Sequence, residues 1–184
     1  MPTHPFTREI EIANADQIEI ILDRLASQII EAHPKLQGVA LVGIYTAGVP
    51  LSDRLQKKLK EKTGTTVPTG MIDITLYRDD ALEGLPSPVV GETRFDFSVD
   101  GSRIILVDDV LFTGRTIRAA LDAVVDFGRP RVIELLVFAD RGHREFPIQA
   151  NYVGVTVPTA REDSVKLSLP EVHAGDEVLR HFKL

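Results

Sequence analysis

Residues 104–107 read Ile-Ile-Leu-Val and run directly into Asp108 and Asp109, then Val110, Leu111 and Phe112, then a turn Thr113-Gly114-Arg115-Thr116. An unbroken apolar run bounded by charge predicts a strand buried on both faces, the kind found in a parallel sheet. No other feature constrains the chain as tightly, because the acidic pair and the turn then fall at the strand's carboxyl end. In open α/β sheets, the loops leaving that end form the ligand crevice. From Arg115 the pattern becomes helical, with Ile117, Leu121, Val124 and Val125 on one face, a stop at Gly128 and Pro130 beyond it. The turn therefore feeds a helix start, where unpaired amides and the helix dipole make an anion site suited to phosphate. The hydroxyls of Thr113 and Thr116 add donors. Ionised carboxylates only accept hydrogen bonds, so Asp108 and Asp109 suit hydroxyl groups on the same ligand. A ribose 5-phosphate meets both demands, and a divalent cation would offset the remaining repulsion.

Elsewhere the periodicity alternates between helix and strand. Asn14 caps a helix with a stripe of Ile18, Ile21, Leu22, Leu25 and Ile29, ending near His33 and Pro34. Residues 38–44 read as a buried strand leading into Tyr45-Thr46-Ala47-Gly48. A helix follows over about 49–62, with Pro50 in its first turn and Gly64 as its stop. Residues 67–77 read as a strand. Arg78 then opens a long segment containing Gly84, Pro86, Pro88 and Gly91, of the kind used for lids or linkers. Residues 132–139 form another buried run, and 152–157 and 165–169 are short strand-like pieces. Strand, helix, strand in this order predicts right-handed crossovers and a parallel sheet.

With 184 residues and 43% hydrophobic composition, a single domain over residues 1–184 is expected. There is no cysteine, hence no disulfide framework and no thiolate chemistry. A net charge of -6, from 21 basic and 27 acidic residues, argues against general attraction to nucleic acid. The run Lys57, Lys58, Lys60 and Lys62 reads as a solvated helix face. The start lacks the regions of a signal peptide and no apolar stretch approaches the ~18 residues of a membrane span, so a cytoplasmic protein without membrane partners is expected.

The apolar run, the acidic pair and the Thr-Gly-x-Thr turn resemble the phosphoribosyl diphosphate (PRPP) signature of type I phosphoribosyltransferases. Two further segments, residues 73–80 (Asp-Ile-Thr-Leu-Tyr-Arg-Asp-Asp) and 140–148 (Asp-Arg-Gly-His-Arg-Glu-Phe-Pro-Ile), resemble the pyrimidine operon regulatory family, PyrR. The match runs from the first helix to about Val165. It implies an α/β type I fold with a mostly parallel, five-stranded central sheet flanked by helices, a flexible flap over about 77–94 and a small hood over about 140–170. It implies transfer of ribose 5-phosphate from PRPP to uracil, giving UMP and diphosphate, with Mg2+ as cofactor. It further implies binding of UMP or UTP, nucleotide-dependent binding of pyrimidine-operon leader RNA in transcription attenuation, and a homodimer or homotetramer.

Residue by residue, the resemblance has Asp108 and Asp109 hold the ribose hydroxyls and, through them or through water, the metal. Val110, Leu111 and Phe112, with Thr113, Gly114, Arg115 and Thr116, would cradle the 5-phosphate. Thr46, Ala47 and Gly48 occupy the diphosphate loop, and Arg78 is a candidate flap cation for the leaving diphosphate. Asp140 and Arg141 would approach the pyrimidine, and Arg144 is the kept RNA residue; His143 reads as structural.

Two departures stand out. The family has Thr-Arg-Gly where this chain has Thr46-Ala47-Gly48, and losing a preorganised donor aimed at developing charge lowers rates on the order of 10²-fold. On the RNA face, Asp23, Ser27 and Ala32 replace threonine, histidine and arginine, and Gln149 and Val155 replace arginine and lysine. Each lost cation removes a phosphate contact, so weakened RNA binding is expected. A regulator that only senses UMP or UTP, and a transferase for another base, are the competing readings.

Overall fold

The computed structural model describes residues 8–77 and 91–184. In chain order the elements are β1 (Arg8–Asn14), α1 (Ala15–Ala32), β2 (Val39–Ile44), α2 (Gly48–Thr63), β3 (Thr69–Ile72), β4 (Arg94–Phe95), β5 (Arg103–Leu111), α3 (Arg115–Val125), β6 (Val132–Asp140), β7 (Tyr152–Thr156), β8 (Ser164–Ser168) and β9 (Val178–Lys183). The main sheet has the order β4-β3-β2-β5-β6-β7. Its strands pair in parallel except at the edge, where the two-residue β4 runs antiparallel to β3. A second, antiparallel sheet has the order β1-β9-β8 and draws its strands from both ends of the described chain.

Alternation along the central strands sorts side chains into two layers. Ile105, Val107, Leu136 and Phe138 pack with α1, α2 and the second sheet, whereas Ile104, Leu106, Leu135 and Val137 pack with α3. Burial on both faces is why these strands read as continuous apolar runs rather than alternating ones. α1 begins with the expected cap: the Asn14 side chain accepts from Gln17 N, and the Gln17 side chain accepts from Asn14 N, both at 3.0 Å. α2 ends on Gly64 in the left-handed region, φ 73°. Among the described residues no helix is long and apolar enough to cross a membrane.

Three expectations need correction. The strand expected over 67–77 is only Thr69–Ile72, followed by a 3-10 turn at Thr75–Tyr77. Asp73 bends the chain there, because its carboxylate accepts from Thr75 N at 2.8 Å and from the Thr75 hydroxyl at 2.6 Å. Second, α3 stops at Val125, and Val125 is 57% exposed rather than part of the core face. Its buried stripe is Ile117, Ala120 and Val124 with Ala119 and Ala123 on one flank. At 100° per residue Val125 lies on the opposite flank. Third, the acidic pair is not terminal, since β5 continues to Leu111 along β6.

Candidate active site

The crevice arises where the sheet changes direction. From β2 the chain passes through α2 to β3 on one side, whereas β5, the other neighbour of β2, leads through α3 to β6 on the far side. Loops leaving β2 and β5 therefore diverge to opposite faces, which opens a gap at their carboxyl ends. Pairing between β2 and β5 ends at Gly43 and Val107. One residue on, the carboxylates supply acceptors that a neighbouring strand would have given: Asp108 accepts from Asp109 N at 3.0 Å, and Asp109 from Val110 N at 2.9 Å. The two carboxylates are thus locked to their own backbone at the mouth of the gap. Burial, then the neighbouring Asp109 charge, pushes Asp108 well above the ordinary carboxylate range.

Both loops lead into helix starts that lack a side-chain cap. Ahead of α3 stands Gly114, with φ 92°, a conformation that side chains rarely adopt. At α2, Gly48 is required by contact, because a Cβ there would lie 2.2 Å from the Val107 carbonyl oxygen. This contact sets the 45–48 loop directly against β5, beside Asp108. Ala47 is 6% exposed and packs with the core cluster that includes residues of α1 and α2. The Tyr45–Thr46 peptide is cis.

Two adjoining cavities fill the crevice and share Asp108, Val110 and Thr116. One, of about 430 Å³, is bounded by Tyr45, Thr46, Asp73, Thr75, Gly91 and Asp109. The other, of about 330 Å³, is bounded by Leu111, Phe112, Thr113, Gly114, Arg115 and Ile117. Among the described residues lining the first there are three carboxylates and no lysine or arginine. The donor set is oxygen only, which fits a hard cation such as magnesium better than a soft one. Among the described residues no group of three or more His, Cys, Asp or Glu is placed to hold a metal ion.

The 112–116 turn is tied down from behind. Thr113 O accepts from Glu145 N at 2.8 Å and Phe146 N at 3.2 Å, and Leu111 O accepts from Arg141 N at 3.1 Å. Arg141 is 7% exposed; its guanidinium lies 4.0 Å from the Phe112 ring centroid and donates to the carbonyls of Ala160 and Arg161. Arg144 donates to Phe112 O at 2.8 Å, to Ile148 O at 3.0 Å and to the Asp140 carboxylate at 2.5 Å. Asp140, Arg141 and Arg144 therefore brace the turn and line neither cavity. His143 bonds to Thr159 O at 2.8 Å, a structural contact.

Arg78 and most of the expected flap lie outside the described residues. Sequence reasoning brought together Asp108, Asp109, the 110–116 turn and Thr46, but missed Asp73 and Gly91 as lining residues. The signal for Asp73 is Asp-x-Thr after a short strand, the pattern of an Asx turn.

On the expected RNA face Asp23 is joined to α2, and neighbouring charges of α1 and α2 are paired as well. Asp23 pairs with Lys62 at 2.9 Å, and Glu19 with Lys58 at 2.9 Å. Arg54 reaches Glu19, Glu171 and Glu177. Val155 packs against the core.

A family model described as phosphoribosyl transferase domain matches residues 10–171. The chain is 51% identical over 167 residues to the Bifunctional protein PyrR of Deinococcus deserti, covering 91% of each chain. It is 52% identical over 168 residues to the Bifunctional protein PyrR of Thermus aquaticus, covering 91% of this chain and 93% of that one. Among solved structures it superposes on a Trypanosoma cruzi hypoxanthine phosphoribosyl transferase with a TM-score of 0.72 at 17% identity, covering 98% of this chain and 93% of the other. A Leishmania tarentolae HGPRT-ase gives 0.70 at 16%, covering 98% and 99%. These last two likenesses concern the fold.

Proposed function

The chain belongs to the phosphoribosyl transferase domain family and, within it, to the PyrR proteins, and on that premise we propose that it is a uracil phosphoribosyltransferase. In this reaction uracil N1 attacks the anomeric carbon of PRPP. The carbon–oxygen bond to diphosphate breaks as the carbon–nitrogen bond forms, and the N1 proton is lost. The observation that carries the reading is one crevice with an aspartate pair between two helix starts whose N-cap residues supply no side-chain cap.

Amides and hydroxyls of the 113–116 turn bind the 5-phosphate, and the bracing behind the turn keeps them aimed before substrate arrives. Asp108 and Asp109 accept from the ribose hydroxyls. As positive charge develops on the ribosyl ring, both carboxylates lie close enough to stabilise it. Across the gap, backbone amides at Thr46, Ala47 and Gly48 receive the diphosphate. Magnesium bound with PRPP supplies positive charge that stabilises the leaving diphosphate. Asp108 and Asp109 would face that ion through water or through the ribose. With alanine at position 47 the loop offers amides without a guanidinium, so turnover is slower than with a Thr-Arg-Gly loop.

The test offers magnesium and PRPP with uracil, hypoxanthine, guanine or orotate in turn and follows diphosphate release. Turnover with uracil alone is expected; turnover with a purine base would overturn the specificity. No turnover with any base would favour the second reading, a UMP- or UTP-sensing regulator, for which Ala47 speaks. RNA binding is weakened in either case, because Asp23, Ser27, Ala32, Gln149 and Val155 supply no cation where phosphate contacts are expected. Nanomolar filter binding of a pyrimidine leader RNA in the presence of UMP would contradict that.

A further inference from the structure

Asp73 is 9% exposed, and its carboxylate accepts three hydrogen bonds, from Thr75 N, the Thr75 hydroxyl and Gly91 N, where Asp108 and Asp109 each accept one from the next residue's amide. One oxygen accepts from Thr75 N at 2.8 Å and from the Thr75 hydroxyl at 2.6 Å. Its other oxygen accepts from Gly91 N, 18 residues further along. The Asp73 amide donates to the Thr93 hydroxyl at 3.1 Å. One side chain thus joins two stretches of chain that are distant in sequence. Both Thr75 and Gly91 line the 430 Å³ cavity on the side facing Asp108 and Asp109. They are absent from the lining of the 330 Å³ cavity around the 112–116 turn.

Donors directed at the carboxylate, working against its burial, hold Asp73 below the usual range. They keep the carboxylate ionised and occupied by protein donors, so that both of its oxygens are committed to the rim rather than to a ligand. Crowding on the far side is tight: a Cβ at Gly91 would lie 3.0 Å from the carboxylate oxygen. The arrangement therefore has two independent handles, the acceptor at Asp73 and the space at Gly91.

We propose that Asp73 is a positioning residue that fixes the Thr75 and Gly91 rim of the larger cavity and thereby sets affinity for PRPP without setting affinity for UMP. PRPP carries a diphosphate on the anomeric carbon, which the rim would meet, whereas UMP has none and shares with PRPP only the ribose at Asp108 and Asp109 and the 5-phosphate at the 112–116 turn. This inference rests on the phosphoribosyltransferase reading above.

Isothermal titration of PRPP with magnesium, and separately of UMP, into wild type, Asp73→Asn, Thr75→Val and Gly91→Ala provides the test. Asparagine presents an amide N–H2 either to the two Thr75 donors or to Gly91 N, and so breaks one side of the join. The expected result for Asp73→Asn is a loss of PRPP affinity of roughly tenfold or more, the usual consequence of removing a charged acceptor from buried donors. UMP affinity should change by less than about twofold. Gly91→Ala should shift the ratio in the same direction, and Thr75→Val, which keeps the amide bond, by less. In steady state, Asp73→Asn should raise the KM for PRPP with a smaller change in kcat. A general loss of folding would lower both affinities together, and Gly91→Ala keeps the inference testable if Asp73→Asn unfolds. Equal effects on PRPP and UMP in both variants, or none on either, would overturn the inference. Failure of wild type to bind either ligand would instead overturn the phosphoribosyltransferase reading.

Discussion

The loops after β5 and β2 start from the same geometry and end with different equipment. Both leave the carboxyl end of a central strand and enter a helix without a side-chain cap. Around the β5 loop are two threonine hydroxyls, a glycine in the left-handed region, and bracing bonds from the 140–146 segment. The β2 loop is held by Tyr45, whose N–H donates to Ile72 O at 3.0 Å, and by packing, with Ala47 in the core and Gly48 against the Val107 carbonyl, and it faces a cavity lined by three carboxylates. A helix start supplies amides wherever it occurs, but how well it holds an anion depends on what fixes the loop and on the charges that share its cavity. On the proposed reading, the β5 loop would hold a phosphate unaided and the β2 loop would need positive charge brought with the ligand.

Gly114→Val should break the stronger side most severely. Valine at φ 92° is strained, and its side chain would press on Phe146 and Ile148. UMP affinity should fall by more than about 10²-fold while far-ultraviolet circular dichroism stays native. An unchanged titration would mean that the turn does not hold the phosphate.

Asp108→Asn separates chemistry from stability. Transfer should drop by about 10²-fold, while the melting temperature at pH 7 rises by roughly 2–4 °C per kcal/mol recovered. The sign follows from the raised pKa of Asp108. A folded-state value above the unfolded one contributes stability that is present in acid and lost as pH rises through the folded value. The gap between variant and wild type should therefore widen from pH 4 towards pH 7. A constant gap would contradict the burial and Asp109 repulsion assigned to Asp108.

Ala47→Arg sharpens the comparison from the weaker side. The uracil transfer rate should rise by about tenfold, with UMP affinity unchanged. Because Ala47 is 6% exposed, some thermal stability should be lost. An unchanged rate would discard the missing guanidinium as the cause of slow turnover. The smallest effect is expected from Arg141→Leu, which loosens Phe112 from behind. UMP affinity should weaken by about threefold, read by the same titration.

The strongly patterned parts of this molecule were legible in the sequence. Burial on both faces writes itself into β2, β5 and β6 as unbroken apolar runs, and Asn14, Gly64 and the Thr113–Gly114 turn mark their helix ends by local chemistry. β1 and β9 were not legible, because each is partly exposed and stabilised by a partner far away in the chain. Asp140, Arg141 and Arg144 show a different limit. Their residue types suit a ligand or RNA as well as a brace, and only the positions of Phe112, Ala160 and Ile148 show what they touch. Asp73 was overlooked because one of its partners, Gly91, lies 18 residues away.

Titration of the wild-type protein with UMP and with uridine tests the central claim most directly. The two ligands share base and ribose and differ only in the 5-phosphate. If the 112–116 turn holds that phosphate beside Asp108 and Asp109, UMP should bind and uridine should bind at least about 10²-fold more weakly, as expected for loss of several charge-assisted bonds. Equal affinities, or binding of uridine alone, would contradict the assignment of this crevice as a ribose 5-phosphate site.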